Sequence, residues 1–173
     1  MEALAEPAPG EAIVETALSL ARNAIERREY SVATSIYYEL LRRPISDSSR
    51  SEAEANMAVA LYMLATANAG TQAALLQLRK AQGLLQSALR LKRAESAPRQ
   101  WMMSRANLAL VHMALHGATG DERELLAAHL ALDDTQPVLD DLNEPALDVW
   151  MASVHAFLAG LREQHAKRRP TTA

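Results

Sequence analysis

Apolar residues recur at three- and four-residue intervals along nearly the whole chain, the spacing that gathers one side of an α-helix. Ile13, Ala17, Leu20, Ala21 and Ala24 set out a first helix over 11–28. Ala33, Ile36, Tyr37, Leu40 and Leu41 form the stripe of a second over 30–42, which Pro44 stops. After a polar turn at 46–49, Ser51-x-x-Glu54 has the form of a capping box and opens a third helix that runs to Asn68. Asn68-Ala69-Gly70-Thr71 breaks the pattern, and a fourth helix over 72–93 ends in cations, which suit a helix C-terminus. A fifth is expected over 99–116. Asp121 caps a sixth, and Pro137 should kink or end it. Asn143-Glu144-Pro145 opens a seventh that continues to about Lys167. No segment alternates with β-branched enrichment, so the expected fold class is all-α, about seven antiparallel helices. The expected organisation is a disordered lead-in at 1–10, one helical domain at 11–167 and a flexible tail at 168–173.

Internal similarity narrows the arrangement. Asn56-Met57-Ala58-Val59-Ala60-Leu61 aligns with Asn107-Leu108-Ala109-Leu110-Val111-His112, an offset of 51. Trp101-Met102-Met103-Ser104 aligns with Trp150-Met151-Ala152-Ser153, an offset of 49. A unit of this length is one helical hairpin, too small to bury its own apolar face, so the hairpins are expected to stack. Trp101 and Trp150 fall at equivalent places near the starts of first helices, where a large ring is a natural filler between hairpins.

The first pair carries Ala21, Tyr30, Ala33, Tyr37 and Leu41 followed by Pro44, and in that order it resembles the tetratricopeptide repeat (TPR) family. The stretch from Leu78-Arg79-Lys80-Ala81 to Ala88-Leu89 looks like the second helix of such a repeat. Trp101 followed by Asn107-Leu108-Ala109 resembles a long-repeat bacterial variety. The loops after the third and fifth helices are longer than the usual unit allows, and the sixth helix with Pro137 fits poorly. The resemblance spans about 11–167. It implies a superhelix of antiparallel hairpins, with Ala21 and Ala33 at the crossing of the first pair. It also implies that the first helix of each pair lines a concave groove, where an Asn can hold a ligand's backbone or carboxylate.

Composition narrows the chemistry. The 173 residues suit one domain, 49% of them are apolar, and there is no cysteine. That excludes thiol catalysis and thiolate metal sites and fits a reducing compartment, so a cytoplasmic location is expected. A net charge of −3 lacks the basic excess of a nucleic-acid binder. The start of the chain lacks the pattern of a signal peptide, and without an apolar run of about 18 residues no membrane insertion is expected. Charge is unevenly spread. From Arg79 to Arg99 six basic residues stand against one acid, and from Asp121 to Asp148 nine acids stand against Arg123. Two solvated faces of opposite sign are the expected reading.

No phosphate loop, dinucleotide fingerprint, nucleophile elbow or zinc-protease motif occurs, so no cofactor and no catalysis are expected. His112 and His116 are four apart and can face one ion, but a third ligand, His129 or Glu124, would have to come from across a loop; no metal is expected. Asp133-Asp134 and Asp140-Asp141 lack calcium-loop spacing and point about 100° apart on a helix, which favours a solvated acidic face over a carboxylate dyad.

Beyond Met1, every methionine falls on the third, fifth or seventh helix. Methionine suits surfaces that accept varied apolar partners, and it also fills gaps in cores. The third helix is apolar at 12 of the 16 positions 52–67, more than a single stripe needs, which fits either use. The expected groove residues are Asn56, Met57, Met63, Met102, Asn107, Met113 and Met151. The expected function is a non-catalytic module that binds an amphipathic helix or extended segment of another protein. Alternatives are a small secretion-type chaperone shielding an exported subunit, and a self-associating structural subunit that forms a homodimer.

Overall fold

A computed structural model describes residues 9–168 and is all-α over them. Of the expected lead-in at 1–10 and tail at 168–173, residues 1–8 and 169–173 lie outside the described residues; Pro9 and Gly10 already belong to the first helix, and Arg168 ends the last. Eight helices follow in order: α1 (Pro9–Glu26), α2 (Tyr30–Leu41), α3 (Asp47–Ala67), α4 (Gln72–Leu91), α5 (Pro98–Thr119), α6 (Glu122–Leu132), α7 (Thr135–Leu142) and α8 (Pro145–Arg168). Helix α1 packs on α2, α3 on α4, and α5 on α6 and α7, while α2–α3 and α4–α5 join one hairpin to the next. Helices α1 and α4 form no extensive contact, so this is an open stack rather than a closed four-helix bundle.

Small residues make the close approaches. Ala21 and Ala33, expected at the first crossing, are fully enclosed, and Ala53, Ala60, Ala81, Ala106 and Ala128 continue the alanine-lined core. Tyr37 is the largest side chain fully buried. Burial pushes its hydroxyl up to about 12, an effect that the nearby Asn56 amide partly offsets. Asn56 is close enough to act on that hydroxyl, yet no hydrogen bond with acceptable geometry satisfies it.

Two expected boundaries are corrected. Helix α3 starts at Asp47, capped by Ser46, whose hydroxyl accepts from the Ser49 amide at 3.1 Å. Ser51 is therefore no cap: it is buried mid-helix and donates across the hairpin to the Ala88 carbonyl at 3.2 Å. The sixth helix does break, but before Pro137. Asp134 adopts φ 62 and separates α6 from α7, and Pro137 sits in the first turn of α7, where its missing amide costs nothing.

Together α6 and α7 run antiparallel to α5 as one interrupted second helix. Four contacts fix the register along α5. His116 Nδ1 lies 3.0 Å from the Asp121 carbonyl, and His112 Nδ1 lies 2.6 Å from Glu124. Arg105 donates to the Leu130 and Asp133 carbonyls at 2.8 and 2.6 Å, and Arg99 pairs with Glu144 at 3.0 Å. Helix α8 then packs on α5 and α6 and ends the described stack. No helix among the described residues is long and apolar enough to cross a membrane.

Candidate functional site

The stack separates the methionines that the sequence left in balance. Met57, Met102, Met113 and Met151 are 2% exposed or less and pack in the core. They are gap-fillers between helices, and their expected place on a groove surface is corrected. Met103 is partly buried against the core, and Met63 is partly buried.

The two asparagines do meet a common space. A groove of about 450 Å³ lies between α3 and α5, a volume in the range of pockets that hold small ligands or short chain segments. Asn56 and Val59 line it from α3, and Trp101, Met103 and Asn107 line it from α5. The repeat makes this pairing: each Asn stands at the same register of a first helix, and successive first helices flank one concavity. Neither tryptophan is fully buried. Trp101 forms part of the groove wall instead of an inter-hairpin filler, and the Arg105 guanidinium stacks over it at 5.1 Å.

Charge in the groove is graded. Glu52 on α3 is held by Arg22, which also binds Glu15 at 2.9 Å, so one guanidinium serves two carboxylates and that wall stays net negative. At the other end Lys92, which caps α4, and Arg99, near the start of α5, both reach the groove. Arg99 also grips Glu144 and donates to Met103 Sδ at 3.2 Å. These two cations escaped the sequence reading because one lies at a helix end and the other in the first turn of the next helix. Arg105, the base that stood beside Asn107 in the sequence, is occupied with α6 carbonyls.

A larger, open cleft of about 1110 Å³ lies between the start of α1 and the stretch from Pro44 into the first turn of α3. It brings no aromatic ring or pair of convergent amides, so the α3–α5 groove is the better candidate.

The histidines form a different arrangement. Glu124 does reach His112 across the turn, as one sequence option had it, but its other oxygen binds Arg79 at 2.7 Å. The buried carboxylate thus ties α4, α5 and α6 together. His116 turns away to Asp121 and stacks edge-on with His165 at 5.7 Å. Among the described residues no group of three His, Asp or Glu side chains is placed to hold a metal ion. The uneven charge has an internal use as well: Arg79–Glu124 and Arg99–Glu144 join the basic stretch to the acidic one.

Fold and groove define a stack of helical hairpins with a largely apolar groove between α3 and α5 into which two amide side chains reach. No family model, curated protein or solved structure matches the chain.

Proposed function

We propose that the chain is a non-catalytic, TPR-like protein-interaction module whose α3–α5 groove takes an extended segment or helix of another protein. The observation that carries this reading is the convergence of Asn56 and Asn107 on one groove beside the partly exposed Trp101. Carboxamides can both donate to and accept from a passing backbone, and an indole offers a rigid apolar platform at little entropic cost. The methionine surface that the sequence suggested plays a smaller part, through Met103. Lys92 and Arg99 favour a segment with an acidic residue at that end.

Selection of random twelve-residue peptides on the protein tests this. Selected peptides are expected to bind Asn56→Ala/Asn107→Ala about tenfold or more weakly, since each lost hydrogen bond is worth about 1 kcal/mol. Trp101→Ala should weaken them further with helicity retained. Peptides that bind all three proteins equally would move the site elsewhere.

A further inference from the structure

A methionine differs from other aliphatic side chains in carrying a sulfur that peroxides convert to a polar sulfoxide. Access decides which methionines of this fold can react. Met57, Met102, Met113 and Met151 are 2% exposed or less, whereas Met63 and Met103 are only partly buried. Of these two, Met103 lines the α3–α5 groove. It follows Arg99 by four residues on α5, a spacing that makes the two side chains neighbours. Arg99 is anchored to the residue before α8: its Nε donates to the two Glu144 oxygens at 3.0 and 3.2 Å. With Nε so occupied, Nη1 donates to Met103 Sδ at 3.2 Å. A thioether sulfur is a weak acceptor, so this donor is spent on a poor partner.

We propose that Met103 is a peroxide-sensitive modification site, and that its sulfoxide captures Arg99 and withdraws that cation from the groove. In the oxidation the sulfur lone pair attacks one oxygen of hydrogen peroxide and the O–O bond breaks. The proton on the attacked oxygen passes to the departing one, which leaves as water. Sulfur is oxidised by two electrons, peroxide is reduced by two, and an S–O bond has formed. The new oxygen is a far better acceptor than the sulfur it sits on, and Arg99 Nη1 is already beside it. Arg99 is then held by Glu144 and by the sulfoxide, and Lys92 is left as the groove's free-standing base at that end. Methionine sulfoxide reductases reverse the change. The consequence for binding rests on the groove being the peptide site; the oxidation and the capture of Arg99 do not.

Treatment of the folded protein with hydrogen peroxide, followed by digestion and mass spectrometry, gives the oxidation rate at each methionine. Met103 should react about tenfold or more faster than Met57, Met102, Met113 and Met151. A Met103 as protected as those four overturns the proposal. In nitrogen-15-labelled protein the Arg99 Nε–H resonance should shift on oxidation of the wild type and stay in place in peroxide-treated Met103→Leu. A resonance that does not move in the wild type, or moves equally in Met103→Leu, overturns the capture. A selected groove peptide carrying one Asp, compared with its Asn counterpart, reads the consequence. Oxidation should weaken the Asp peptide about tenfold and the Asn peptide about threefold or less, since only the first loses an ionic partner. Peroxide should not change the affinities that Met103→Leu shows before treatment. Equal losses for the two peptides would mean that the sulfoxide obstructs the groove without taking Arg99, and would overturn the withdrawal of charge. If no peptide selects the groove, the proposed function fails, while the oxidation rates and the Arg99 resonance still decide the modification.

Discussion

His112 Nδ1 lies 2.6 Å from Glu124 Oε2 inside the third hairpin, and the opposite oxygen of that carboxylate receives Arg79 from the second hairpin. Both His112 and Glu124 are buried, and Arg79 is half exposed. Removal of one partner leaves the other desolvated and unpaired. Glu124→Ala should therefore cost about 2–4 kcal/mol, the lower end reflecting the water that still reaches Arg79. The double change His112→Leu/Glu124→Leu removes both polar groups and should regain most of that loss. Urea melts of the three proteins check this; a double variant as unstable as the single one would mean that the pair is worth more than the packing that replaces it.

Tyr37 gives the fold an alkaline weakness. Its hydroxyl is buried without a formed hydrogen bond, and burial raises its pKa from 10 to about 12. Below pH 10 the phenol is protonated in both folded and unfolded chains and has no pH effect. As the pH rises from 10 through 12 the unfolded chain ionises first, so stability falls, by about 2–3 kcal/mol in the limit. Tyr37→Phe should match wild type within about 1 kcal/mol at pH 7 and lose less stability than wild type between pH 10 and 12. Parallel pH-dependent melts of the two proteins measure the difference.

Arg28 ends the α1 turn with φ 62, a left-handed conformation that glycine adopts without strain. Its amide bonds to the Ile25 carbonyl at 2.9 Å, and the Glu29 amide reaches back to Ala24 at 2.8 Å, closing the helix end. Arg28→Gly should stabilise the protein by about 0.5–1 kcal/mol, because relief of strain exceeds the added freedom of the unfolded chain. Glu29→Gly, one residue on, should give no gain. A lower midpoint for Arg28→Gly would show that the arginine side chain contributes more than its backbone costs.

Helix content, the hairpin order and the enclosure of Ala21 and Ala33 were legible because periodicity and residue size determine them locally. The Asn56–Asn107 pairing was legible through the repeat. The methionines were not: Met57 and Met63 share a helix, yet one is core and the other half-buried, and composition does not distinguish the sides of a helix flanked by several others. The break between α6 and α7 was misplaced because proline is tolerated in a first turn, while Asp134 takes a left-handed turn that its sequence disguises as part of an acidic face. Glu124 was weighed as a metal ligand for His112, since sequence spacing alone does not reveal Arg79 on the other side of the carboxylate.

Arg105 links that break to the groove. Its Nη2 donates to the Leu130 and Asp133 carbonyls, which the end of α6 leaves without amide partners, and its guanidinium lies over the Trp101 ring. Arg105→Met keeps much of the apolar bulk and loses both charge-assisted bonds, at an expected cost of about 1–3 kcal/mol. Arg105→Lys keeps the charge but not the planar fork, and should recover less than half of that. Because Arg105 does not line the groove while Trp101 does, the Met variant separates support from contact. It should alter the tryptophan near-ultraviolet dichroism and weaken selected groove peptides severalfold, although it removes no group that touches them. If Arg105→Met melts like wild type, the Thr135 hydroxyl, which donates to the Leu132 carbonyl at 2.6 Å, is sufficient to hold the break. If it is destabilised but binds peptides normally, the Arg105–Trp101 stack has no part in shaping the groove.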